Sequence, residues 1–168
     1  MKRRSEKSPR RSNASRAKAD QQALGKPTGK KPLGEIFLSH CSQDREFADA
    51  IVSVLRKHGL RVWYAPTDVM GARQWHDEIG RALERCDWFA IIISPAAVRS
   101  MWVKRELSFA LRQARFDEKI IPILYQPCDP HPLSWTLLSV QMVDFTRSFD
   151  NGCRQLLRVW GLDYRKER

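Results

Sequence analysis

Five consecutive residues, Trp102-Val103-Lys104-Arg105-Glu106, combine a carboxylate, an aromatic ring and two cations at helical spacing. Residues four apart share one helix face, so Trp102 stands beside Glu106. The periodicity predicts an inward stripe of Val103, Leu107, Ala110, Leu111 and Ala114, with Glu106 at its edge. A carboxylate pressed against apolar surface and an aromatic wall is desolvated. Desolvation raises its pKa and equips it for acid–base work or for stabilising a developing positive charge. The competing reading of the same five residues is an exposed helical Glu solvated among Lys and Arg.

The choice between these readings depends on the elements that hold Glu106. Beyond Pro32 the chain alternates short apolar runs with longer amphipathic segments. Strands are predicted at Glu35–Ser39, Arg61–Tyr64, Trp88–Ser94, Lys119–Tyr125 and Gln141–Phe145, the last one weak. The third is continuously apolar, as a strand covered on both faces should be. Pro122 argues that the fourth is an edge or carries a bulge. Helices are predicted at Asp44–Lys57, stopped by Gly59, at Trp75–Arg85, after an N-capping Ser100, and at Phe149–Trp160. Ala65–Gln74 and the Pro-rich Gln126–Trp135 read as loops. This alternation predicts an α/β, flavodoxin-like three-layer sandwich: a five-stranded, mostly parallel sheet in the order 2-1-3-4-5 with helices on both faces. In that order the switch point lies between the first and third strands, and ligands bind beyond their carboxyl ends. Those ends are Ser39-His40-Cys41-Ser42 and Ser94-Pro95-Ala96, and the helix bearing Glu106 follows directly.

Charge divides the chain. Of 168 residues, 30 are Lys or Arg and 19 are Asp or Glu, a net +11. Residues 1–32 hold eleven of the basic and two of the acidic groups, so the remainder is close to neutral. The predicted organisation is a disordered basic tail at 1–32, one domain at 33–162 and a short tail at 163–168. The first tail has the charge to touch nucleic acid or anionic lipid. It lacks the apolar core of a secretory signal, and no run approaches the roughly 20 residues of a membrane span. Cys41, Cys86, Cys128 and Cys153 are scattered without a C-x-x-C, so the expectation is reduced thiols, no metal site and a cytoplasmic setting.

Four stretches carry a resemblance. They are Phe37-Leu38-Ser39-His40-Cys41-Ser42-Gln43-Asp44, Val62-Trp63-Tyr64-Ala65-Pro66-Thr67-Asp68, Ile92-Ile93-Ser94 and Ser100-Met101-Trp102-Val103-Lys104-Arg105-Glu106-Leu107. In this order and spacing they resemble a TIR (Toll/interleukin-1 receptor) domain of the bacterial type, over roughly Leu33 to Leu162. The resemblance implies that Glu106 is the essential carboxylate of an NAD glycohydrolase or cyclase, active on self-association in bacterial defence or stress signalling. NAD would be the substrate, with no separate cofactor. Ser39, His40, Ser94 and Trp102 would line the pocket; Arg73, with Lys104 and Arg105, could meet the pyrophosphate, and solvated charge is the default for all three. Asp44 is expected to cap or orient its helix, and Trp63 to pack in the core. Other TIR domains and a partner effector protein would be the partners. The alternative is a non-catalytic TIR module acting through homotypic contacts. One departure stands out: Gly71 comes one position earlier than in the related W-x-A-P-x-D-x-x-x-G-x-x-W pattern, and Ala72 takes the usual Gly place. A response-regulator receiver would need acidic residues where this chain has Ser-His and Ser-Pro.

Overall fold

The computed structural model describes residues 33–65 and 72–165, with 72–76 described as backbone only. Residues 1–32 and 33–168 form separate units. Five parallel strands, β1 (Glu35–Ser39), β2 (Arg61–Tyr64), β3 (Trp88–Ile93), β4 (Ile120–Leu124) and β5 (Val143–Asp144), form one sheet in the order β2-β1-β3-β4-β5. The helices are α1 (Arg45–Lys57), α2 (Ala72–Arg85), α3 (Pro95–Arg99), α4 (Met101–Ala110) and α5 (Phe149–Arg158). The predicted architecture and strand order are those observed.

Alternation along the strands builds two cores. Ile36, Leu38, Ala90, Ile92, Ile121 and Ile123 point to one face, where Ile51, Leu55, Leu156 and Leu157 of α1 and α5 cover them. Phe37, Phe89, Ile91 and Ile93 point to the other, under Ile79, Leu83, Val103 and Leu107 of α2 and α4. Trp63 stacks on Phe37 with centroids 4.8 Å apart, as core packing requires. Gly59 ends α1 at φ +81°, and the Leu60 N–H reaches back to the Leu55 carbonyl, a cap that a left-handed residue allows.

The differences from expectation are local. The 3₁₀ turn Ser42–Asp44 precedes α1, whose first residue is Arg45. α2 begins at Ala72, so the predicted loop Ala65–Gln74 is shorter; its centre, with Gly71, lies outside the described residues. α3 was not expected, because five residues are too few to show a helical period. α4 ends at Ala110, which leaves Leu111 exposed and Ala114 in a 3₁₀ turn, off the predicted stripe. β5 keeps two of the five predicted residues and pairs only with Ile123 and Leu124. Pro122 therefore lies where β4 has no outer neighbour. The Tyr125 N–H bonds to Ile93, and alternation turns the nitrogen of Pro122 the other way, to the open edge. Among the described residues no helix is long and apolar enough to cross a membrane. Cys41, Cys86, Cys128 and Cys153 are free.

Candidate active site

Ser39 is the last residue of β1, in register with Ile91 of β3, and its side chain falls on the face covered by α4. Ser100 caps α4 by accepting the Val103 N–H at 3.4 Å, which fixes the helix start one turn before Glu106. Three and four residues on, Val103, Glu106, Leu107 and Ala110 form the buried side. The two elements meet at Ser39 and Glu106, where the Ser39 Oγ donates to Glu106 Oε2 at 2.5 Å. Glu106 is 7% exposed. Burial pushes its carboxyl up from 4.5 to about 7, against the pull of the Ser39 hydrogen bond toward the ionised form. The result is a shielded carboxylate that gains and loses its proton near neutral pH. It sits beyond the carboxyl ends of β1 and β3, where the strand order reverses.

A second buried group lies at the same switch point. Asp44, 4% exposed, occupies the N-cap position of α1 but makes no side-chain cap. The capping role expected of it is not what its side chain does. Its Oδ2 turns inward and accepts from Ser94 Oγ at 2.6 Å and from the Cys41 thiol at 3.0 Å. Ser94 in turn accepts the Ala97 N–H at 3.0 Å and so caps α3. Asp44 and Ser94 thus tie the end of β1 to the end of β3. Burial and the Asp44 carboxylate push the Cys41 thiol up to about 11, so it is protonated and donates.

The other sequence-predicted residues separate around this centre. Ser94 is fully buried with its hydroxyl engaged on both sides, so it frames the crevice. The His40 ring stands 5.8 Å from that of Tyr64, which packs with the α1 face, and so it turns away from Ser39. Burial lowers the His40 pKa and so favours the neutral ring. Trp102 is half-buried on the Glu106 side of α4, with the Arg105 guanidinium 5.3 Å from its ring centroid. The side chain of Arg73 lies outside the described residues. At the root of the loop after β2, Arg45 donates to the Ala65 carbonyl at 2.8 Å and lies 4.7 Å over the Tyr64 ring. Tyr64 bonds to Asp49 at 2.8 Å. Sequence reasoning missed the Cys41–Asp44–Ser94 cluster; Asp44 and Ser94 are fifty residues apart, and only the strand order brings them together. Among the described residues no three His, Cys, Asp or Glu side chains are grouped to hold a metal.

The family model described as TIR domain matches residues 36–157, which include every element of this site. The chain is 29% identical over 92 residues to a probable 2′ cyclic ADP-D-ribose synthase from Methanobrevibacter olleyae, covering 54% of this chain and 27% of that protein. It is 27% identical over 94 residues to a 2′ cyclic ADP-D-ribose synthase from Bacteroides thetaiotaomicron, covering 55% of this chain and 33% of the relative. The matched stretches thus span a third or less of those proteins' length. In three dimensions the chain is similar to the TIR domain of a Toll-related receptor from Hydra magnipapillata. That match has a TM-score of 0.55 at 21% identity and covers 74% of this chain and 88% of the receptor domain. It is also similar to the TIR domains of the activated Roq1 resistosome, with a TM-score of 0.61 at 14% identity, covering 76% and 99%. At these identities the two structures bear on the fold.

Proposed function

Because this chain belongs to the TIR domain family, we propose that it cleaves the bond between nicotinamide and ribose in NAD, with Glu106 as the catalytic residue. The observation that supports this reading is the buried carboxylate of Glu106, held by Ser39 at 2.5 Å and shifted to about 7 at the sheet's switch point. The chemistry suits a single carboxylate. The nicotinamide of NAD is a cationic pyridinium, so it leaves as a neutral molecule with the electrons of the broken C–N bond and needs no general acid. Positive charge grows on the ribose as an oxocarbenium-like centre. An ionised Glu106 offsets that charge and accepts from the ribose hydroxyls, and the desolvated site strengthens both interactions.

The nucleophile decides the product. Water gives ADP-ribose, whereas a ribose hydroxyl of the same molecule closes a ring and gives a product lighter by one water. The two relatives named as 2′ cyclic ADP-D-ribose synthases favour ring closure. We further read the active state as self-associated. The test is nicotinamide release from NAD by the purified protein and by Glu106→Ala, with mass spectrometry of the second product. Release by the wild type alone, with a cyclic product, is the expected outcome. Equal rates, or no release at high protein concentration, would replace this reading with that of a non-catalytic TIR module.

A further inference from the structure

The outer face of α4 presents cations with no acidic counterpart. Residues 33–168 carry 19 basic and 17 acidic side chains. Residues 95–115 hold five of those basic groups and one acidic group, which leaves 14 basic and 16 acidic for the rest. The one acidic group is Glu106, and it faces inward. Of the five basic groups, Arg115 bonds to the carbonyls of Leu83 and Glu84 and belongs to the scaffold. Lys104, Arg105 and Arg112 line a surface groove of about 290 Å³ together with Met101 and Ser108. Among the described residues none of these three cations makes an ion pair. At about 100° per residue, Lys104 and Ser108 project roughly opposite to Glu106, so this groove is distinct from the candidate active site.

We propose that this groove binds the phosphate backbone of a nucleic acid. Lys104 and Ser108 stand about one helical turn apart on α4, a rise of about 6 Å, and Arg112 follows in the turn just beyond the helix. The stripe presents an ammonium, a hydroxyl and a guanidinium in line, the donor types that hold successive phosphates. Binding would release condensed counterions and so depend steeply on salt. A membrane surface fits less well. Met101, 61% exposed, is the one apolar residue of the groove, because the apolar side of α4 is already buried in the core.

The experiment uses the full chain and a fluorescent single-stranded oligonucleotide, with anisotropy followed from low to physiological salt. Lys104→Gln/Arg112→Gln is expected to weaken binding roughly tenfold or more at about 150 mM salt and to reduce the slope of log affinity against log salt by about 1.4, at about 0.7 for each lost contact to a single strand. Ser108→Glu, which places a carboxylate in the stripe, should weaken binding in the same direction and guards against a folding defect in the pair. Unchanged affinity and slope in both variants would overturn the proposal and leave any binding to residues 1–32. Two other results would also overturn it. One is sensitivity of binding to phosphatidylserine vesicles with none to the oligonucleotide. The other is a raised KM for NAD with oligonucleotide binding intact.

Discussion

Burial of the Glu106 carboxyl weakens the fold that carries it. Its pKa rises from 4.5 in the open chain to about 7 in the folded state. Between those values the folded protein binds the proton more tightly than the unfolded one, so stability falls as pH rises through this window and levels off above it. The whole difference is about 3 kcal/mol. Glu106→Gln keeps an oxygen for the Ser39 hydroxyl and removes the titration. It should unfold with no such slope between pH 4.5 and 8 and be more stable than the wild type at pH 8 by about 2 kcal/mol, measured by denaturant titration. A variant with the wild-type slope would mean that this carboxyl ionises freely. Ser39 acts on the same group from the other side. Its donated bond favours the ionised form, so Ser39→Ala should move the acid limb of kcat/KM for NAD cleavage to higher pH and lower the value at pH 7 about tenfold. If Ser39 served only to hold substrate, KM would rise and the limb would stay in place.

At the scale of elements, the strand ends are joined by buried polar bonds that no local pattern reveals. The Asp44 carboxylate accepts from Ser94 on β3's exit and from Cys41 on β1's exit. Ser94→Ala leaves that carboxylate short of a donor and uncaps α3, at a cost of about 2–3 kcal/mol. In a double-mutant cycle with Asp44→Ala the coupling should exceed about 1 kcal/mol; additive losses would show that the pair does not brace the crevice. Local and distant information divide in the same way across the fold. Strand positions, the Ser100 cap and the Gly59 stop were legible because period, cap and turn chemistry act within one or two turns. By sequence Pro122 marks an edge strand or a bulge, but β4 lies between β3 and β5, and only the shortness of β5 leaves the Pro122 nitrogen facing an open side. The inward turn of Asp44 was not legible, because local spacing at a helix start points to a cap and its partner Ser94 lies fifty residues away. α3 was too short to show a period, and β5 shrank to two residues because only Ile123 and Leu124 of β4 are beside it. Glu106 was legible as a residue, whereas its partner Ser39, 67 positions away, became one only through the parallel β1–β3 register.

For the molecule as a whole, the question is what residues 1–32 add. They carry most of the net +11, while the described members of both cores, the Ser39–Glu106 bond and the Asp44–Ser94 brace lie within residues 33–165. A chain whose site and core lie in one unit should fold and act without the other. Removal of residues 1–32 should therefore leave the far-ultraviolet circular dichroism of the folded domain and the rate of nicotinamide release per molecule unchanged. Nonspecific retention on polyanions should fall, because the net charge drops to about +2. What remains should still respond to Lys104→Gln/Arg112→Gln, since both residues lie in the domain, on α4 and in the turn just after it. If NAD cleavage instead disappears while the circular dichroism is preserved, the basic segment would be an assembly element that brings copies together. Activity should then return when the shortened protein is concentrated or crowded, because proximity would replace what the segment supplied.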